Sequence, residues 1–335
     1  MKPKNKAFSI ILAVCFSFIS SAAFTSATIN NEVKQAMNSL NLSQNDDNLL
    51  VVTNAPYIKV NNASALPYLK IVQDITGCSV GKGNLLFFQR PQDSPLRMML
   101  FGKTTGDAVI ISLKDGRPVT DKVNLNSNIV SKPTFPKDFN SLYASKDLSS
   151  LALIASMWAN DAPYDFVKSA ELHNHICPGL TSGYLLARYL LDKYPLKAGE
   201  SYKVISCPVW CKEDAFQVML DCTPGKKGMI VKPLSEKQLQ QVTVKNPAGI
   251  FLIWNGKKKS GRGVVLSFDF DRLRSLAPEG ATKPAIVLAA VNYLNKPAQF
   301  VSVGTEFELT ENLYDKIFET GVNPYDVLGL IKKGD

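Results

Sequence analysis

Histidine is nearly absent from this chain: there are two in 335 residues, and both fall in one short segment, His173-Asn174-His175-Ile176-Cys177-Pro178-Gly179. A Ser-His-Asp hydrolase would have to be built on these two imidazoles, which disfavours nucleophilic-serine chemistry. Long apolar runs are scarce as well. Beyond residue 27 no stretch is long enough to span a bilayer, so stable membrane insertion is not expected. Acidic residues are too few to balance the basic ones, and the net charge is +9, but the excess is scattered. Its densest run, Lys257-Lys258-Lys259 with Arg262, follows Asn255-Gly256 between two apolar β-like segments. That is the chemistry of a solvated hairpin tip rather than of a nucleic-acid or membrane patch. The Gly81-Lys82 and Gly225-Lys226 turns lack the spacing of a phosphate-binding P-loop, which argues against nucleotide binding.

What the N-terminus does have is the pattern of an export signal. Lys2, Lys4 and Lys6 precede an apolar or small-residue run from Ala7 to Ile19, and small residues follow at 20–23 and 25–27. Cys15 lies inside the apolar run after Val14, a poor setting for a lipid anchor. Removal of residues 1–27 takes away three lysines and no acid, lowering the charge from +9 to +6. The expected location is therefore exported, periplasmic or otherwise extracytoplasmic. Cys78, Cys177, Cys207, Cys211 and Cys222 then remain, an odd number that argues against a simple disulfide framework. Whether Cys207 and Cys211, the nearest pair in sequence, join as a disulfide stays open. Four of the five lie in the same stretch as the histidines.

Two imidazoles and a thiol within five positions form a soft-to-borderline ligand set of the kind zinc, nickel or copper prefers. Pro178 suits the first turn of a helix, which places Cys177 at a helix N-terminus, where the dipole favours the thiolate. Cys177 is thus the first candidate ligand, with a merely helix-capping thiol as the alternative.

The chain reads as α+β: two related modules, each with helices packed on a mixed, largely antiparallel sheet. Helix, strand, helix, Cys-Gly-Lys turn and antiparallel strands follow in that order twice. Val72-Gln73-Asp74-Ile75-Thr76-Gly77-Cys78 with Gly81-Lys82 parallels Phe216-Gln217-Val218-Met219-Leu220-Asp221-Cys222 with Gly225-Lys226. The expected organisation is a signal over 1–27, a degenerate repeat over 28–132, and a proline-bearing linker over 133–150. A metal-binding domain over 151–282 and a C-terminal helical extension over 283–335 complete it.

His-x-His-x-Cys-Pro-Gly entering a glycine-bearing helix, then Cys211 with Asp214-Ala215-Phe216-Gln217-Val218, then Cys222-Thr223-Pro224-Gly225-Lys226, resembles the formylmethanofuran dehydrogenase E-subunit family. The resemblance covers residues 165–270, and residues 30–115 as a degenerate copy. It implies a site formed by His173, His175, Cys177, Cys211 and Cys222, with Gln217 and Lys226 beside it, a bound transition metal and a homodimer. The chain departs from the family at Cys211-Lys212-Glu213-Asp214 and at Leu220-Asp221-Cys222. It has no paired Cys-x-x-Cys after residue 222, so the zinc ribbon of some relatives is absent. The first copy has no histidine, and Pro67 stands where a cysteine is needed; its Cys78 is either a vestige or part of a site between copies.

The leading functional expectation is an exported protein that captures or hands on a transition metal or a small metallated ligand. Zinc comes first, with nickel, iron or copper as alternatives and haem or corrin left open. A metal-dependent enzyme, redox chemistry included, is the second reading, with Asp214 or Glu213 as a general base. A purely structural metal is the third.

Overall fold

The computed structural model describes residues 26–114, 117–135 and 148–332. The expected export signal lies outside these residues except for Ser26 and Ala27, as do positions 136–147 of the expected linker. The chain forms two compact units that divide between Ile129 and Val130.

In the first unit, helix α1 (26–39) sets Ile29, Val33, Ala36 and Met37 along one stripe, the spacing that turns one helical face to a core. Helix α2 (Leu66–Thr76) adds Tyr68 and Val72 to the same core. It carries Pro67 in its first turn, where a missing N–H costs little, and closes on Gly77 at φ +70°. The five strands are β1 (Leu49–Thr53), β2 (Leu85–Phe87), β3 (Leu96–Gly102), β4 (Asp107–Lys114) and β5 (Arg117–Asn124). Their order is β2-β1-β3-β4-β5, with β1 and β2 parallel and the other pairs antiparallel. Every residue of β1 is buried, whereas the edge strand β5 is largely exposed.

The second unit begins with helices α3 (Leu148–Ala159), α4 (Tyr164–His173) and α5 (Pro178–Lys193). Strand β6 (Glu200–Ser206), helix α6 (Lys212–Leu220) and strands β7 (Met229–Val231), β8 (Pro247–Asn255) and β9 (Ser260–Phe268) follow. After helix α7 (Lys283–Ala290), strand β10 (Val301–Thr310) completes a sheet of order β10-β9-β8-β6-β7. Strands β6 and β7 are parallel; the other neighbours are antiparallel. Strand β8 is buried along its interior because both its faces are covered. Ile250, Leu252 and Trp254 share a core with Ile317 and Tyr325, while Phe251 meets Phe216 of α6 edge-on at 5.2 Å.

The two sheets thus repeat one strand order and one pattern of orientations, in agreement with the expected α+β class. Val51 pairs with Leu85 and Leu100, and Val204 takes the same place by pairing with Met229 and Phe251. The Lys257–Lys259 run lies on the exposed β8–β9 turn. The C-terminal span is not helical throughout: α7 and a further helix, Glu311–Phe318, bracket the ten-residue strand β10. The helical spacing on either side obscures a clear period of two in Val301, Val303, Thr305, Phe307 and Leu309.

Helices α5 and α6 approach so closely at Gly183 that a Cβ there would lie 2.4 Å from the carbonyl oxygen and 2.5 Å from the Cα of Lys212. These are backbone atoms, so relief requires moving a helix. Gly183→Ala should therefore cost at least about 1–3 kcal/mol, read as a lower urea midpoint with an unchanged slope.

Candidate metal centre

Three helix ends meet where the sequence concentrates its imidazoles and thiols. Helix α4 ends on His173, and Asn174 at φ 59° supplies the left-handed residue that stops it. The chain turns through the buried Ile176 into Cys177, whose extended backbone makes it the N-cap of α5, with Sγ accepting the Leu180 N–H at 3.4 Å. The loop after β6 brings Cys211 to the N-cap position of α6. The arrangement matches the helix dipoles: sulfur atoms sit at two positive N-termini and an imidazole at a negative C-terminus.

The donor atoms of His173, His175, Cys177 and Cys211 all lie within 4.8 Å of one another. Gly179 makes the convergence possible, because a Cβ there would come within 3.1 Å of the Cys211 Cβ and 3.5 Å of the Cys177 Sγ. His173 Nδ1 lies 2.7 Å from an Asp214 carboxylate oxygen, and the Gln217 amide donates to the other oxygen at 3.0 Å. His175 Nδ1 lies 3.2 Å from the His173 carbonyl oxygen, and the two rings are 4.1 Å apart between centroids. An oxygen at each Nδ1 leaves Nε2 as the nitrogen available to the cluster, and His173 Nε2 stands 4.0 Å from Cys177 Sγ.

The metal-free electrostatics follow from these contacts. Burial opposes ionisation of Cys177, but hydrogen bonds from His173, His175 and the Leu180 N–H outweigh it and bring the thiol down to about 5. Burial likewise opposes charging of His173, and its bonds to Asp214 and Cys177 raise it to about 9. Cys211 moves the other way, up to about 11, through burial and the negative charge of Cys177 beside it. Cys177 and His173 therefore form a thiolate–imidazolium pair across neutral pH, with the next proton held on Cys211.

A buried polar network supports the Cys211 loop. The Lys212 ammonium, with no exposed surface, donates to Ser206 Oγ at 3.0 Å, to the Pro208 carbonyl and to Glu213 at 2.5 Å. It also lies 3.9 Å from the centre of the Trp210 ring. The Trp210 indole N–H donates to Ser182 of α5 at 2.9 Å, tying the loop to the helix that carries Cys177. Glu213 is thus occupied by Lys212 and Ser206 rather than facing solvent as a base, and Asp214 orients His173. Sequence reasoning did not assign that role to Asp214, because the two residues are 41 positions apart.

Cys222 does not join the cluster. It is fully buried behind α6, its thiol 3.4 Å from the Tyr202 carbonyl and 3.5 Å from that of Leu220. Cys78 makes the matching contact in the first unit, 3.7 Å from the Leu49 carbonyl. Leu49 and Tyr202 each stand two residues before the paired valines Val51 and Val204, so both thiols occupy one position of a shared scaffold. One of those units has no histidine, which makes this cysteine a feature of the fold. Burial pushes the two thiols up, Cys78 to about 11 and Cys222 to about 12. Lys226 is exposed and contacts Asp221. Cys207 is buried and, like the other described cysteines, is a free thiol, so no Cys207–Cys211 disulfide is present.

A cavity of about 360 Å³ borders the same loop, walled by Pro208, Trp210, Phe268 and Phe270, with Asp271 and Arg274 at its edge. The family comparison falls on this unit. Residues 172–296 match FmdE, molybdenum formylmethanofuran dehydrogenase operon. The FmdE match takes in all four clustered residues, Cys222 and the strands β6 to β9, and leaves the first unit and β10 outside. No curated protein matches the chain.

Two measurements follow. Cys222→Ala should leave the metal content of the purified protein unchanged while lowering its stability by roughly 1–2 kcal/mol in urea denaturation. In the metal-free protein, alkylation of Cys177 by iodoacetamide should rise with pH through a midpoint near 5. His173→Ala should move that midpoint upward, because the thiolate then loses its imidazolium partner.

Proposed function

We propose that the second unit binds one transition-metal ion, zinc first, through His173, His175, Cys177 and Cys211, and that the chain serves as an exported protein that captures or hands on that metal. The observation that carries this reading is the mutual approach of four soft donors to within 4.8 Å. Two imidazole nitrogens and two thiolates are a common tetrahedral zinc set, in which donors stand roughly 3.3–3.8 Å apart. The four side chains therefore need to close by only about an ångström, and the donor chemistry fits the ion. A bound ion would supply Lewis acidity and fix the two thiols in their ionised form.

The chain's own residues define how such an ion is held. Asp214, steadied by Gln217, sets the plane of His173, and the His173 carbonyl does the same for His175. Lys212 and Trp210 fix the loop that presents Cys211. Four protein donors complete a tetrahedral set without leaving a position open, which favours holding a metal over hydrolytic catalysis. The half-buried setting of all four leaves them reachable from solvent, as capture and transfer require. Export, inferred from the Lys2–Lys6 charges and the Ala7–Ile19 run, and the homodimer implied by the resemblance stand as parts of this proposal.

The cavity beside Trp210 favours one second reading, a metal-dependent enzyme whose organic substrate lies in that aromatic recess. Its volume of about 360 Å³ falls within the range of small-molecule sites.

Metal analysis of the purified protein tests the first reading. The wild type should carry close to one equivalent of metal, and His173→Ala combined with His175→Ala should carry none while keeping its circular dichroism. Unfolding of that variant would instead support a structural metal, and unchanged metal content would overturn the site. Asp214→Asn should retain the ion with affinity reduced about 10–100-fold, measured by competition with a zinc chelator.

A further inference from the structure

Among the five described cysteines, three are sealed in the cores: Cys78, Cys207 and Cys222 expose 2 % or less. Cys177 and Cys211 are the two half-buried ones, and their sulfurs lie within 4.8 Å of each other. They stand at the starts of two helices held side by side at Gly179 and Gly183, outside the hydrogen-bonded interior of either helix. Turning the two side chains toward each other therefore breaks no backbone–backbone bond of either helix and gives up at most the Leu180 N–H bond to Cys177 Sγ. A disulfide requires Cβ atoms about 3.8 Å apart. The missing side chain of Gly179, whose Cβ would fall 3.1 Å from that of Cys211, is what leaves room for such an approach.

We propose that Cys177 and Cys211 are a reversible disulfide pair, so that the site alternates between a dithiol that holds metal and a disulfide that does not. The metal half of this statement rests on the function proposed above; the disulfide half rests on the geometry alone. The oxidant is a low-molecular-weight disulfide. The sulfur of Cys177, as thiolate, attacks one sulfur of the reagent; the reagent's S–S bond breaks, a mixed disulfide forms and one small thiolate leaves. Cys211, its proton passed to solvent, then attacks the Cys177 sulfur and displaces the second small thiolate. Two protein thiols are thereby oxidised by two electrons, and the reagent is reduced to two thiols that take up two protons. A disulfide sulfur is no longer an anionic donor, so closing the bond removes two of the four ligands, both of them the negatively charged ones. A bound ion occupies the same two sulfurs and blocks the exchange. Metal and disulfide are mutually exclusive states of one site.

The test uses the full chain, stripped of metal under reducing conditions and then exposed to oxidised glutathione, with iodoacetamide quenching and peptide mapping. The expected product has lost two free thiols per chain, carries a Cys177–Cys211 link and retains no glutathione. Cys211→Ser should stop at a glutathione adduct on Cys177, and preloading the wild type with zinc should slow the loss of thiols at least tenfold. The oxidised chain should bind zinc more than about a hundredfold more weakly, and recover on reduction. A stable glutathione adduct on wild-type Cys177, a link through Cys78, Cys207 or Cys222, or zinc binding by the reduced chain that oxidation leaves unchanged would overturn the proposal. If the reduced chain fails to bind zinc while the link forms, the metal reading falls and the disulfide pair stands, because peptide mapping reads the link without any metal.

Discussion

The close approach of α5 to α6 is the constraint on which the centre depends. Two helices whose axes are held together by Gly179 and Gly183 bring their N-termini side by side, so Cys177 and Cys211 share one small volume although they are 34 positions apart. A residue with a side chain at either glycine would spread the helices and with them the donor set. The tie from Trp210 to Ser182 and the Lys212 network then fix the loop against the helix. A buried lysine paired with a glutamate is costly to assemble, and removing one partner typically costs about 3–5 kcal/mol. That network lies one residue away from Cys211, where it ties the loop at Pro208 to the end of β6 at Ser206 and to the start of α6 at Glu213.

Electrostatics at the three helix ends act in the same direction as the packing. Dipoles favour negative sulfur at the starts of α5 and α6 and positive charge at the end of α4. The thiolate of Cys177 and the imidazolium of His173 therefore stabilise each other before any ion arrives, and Asp214 strengthens the pair from the far side of the ring. The charge pair is thus built from the protein's own side chains.

Much of the architecture was legible because it is local. The strands at 85–88, 97–101, 229–231 and 249–254 announce themselves by β-branched and aromatic runs, and the α+β class follows from their order. Strand β10 was hidden by helical patterns on both sides. At the site, the nearness of His173, His175 and Cys177 is written in five consecutive residues, whereas Cys211 entered through resemblance. Cys222 entered by the same resemblance, and it keeps its spacing to the Gly-Lys turn. Yet Cys78 keeps the same spacing in a unit without histidine, and that was the available sign of a structural thiol. The opposite roles of Glu213 and Asp214, neighbours on one helix, depend on which face meets Lys212 and which meets His173. A tertiary contact decides that, and no periodicity encodes it.

The repetition of one sheet in two units has a consequence for how such a centre can change. The first unit shows the scaffold closing its core with no imidazole at all, and Pro67, the counterpart of Cys211 by its spacing to Cys78, lies in the first turn of α2. Folding of this scaffold and identity of the coordinating groups are thus separable traits. Under the proposed function, exchange of ligand types at positions 173, 175, 177 and 211 would retune which ion is preferred without rebuilding the protein around it.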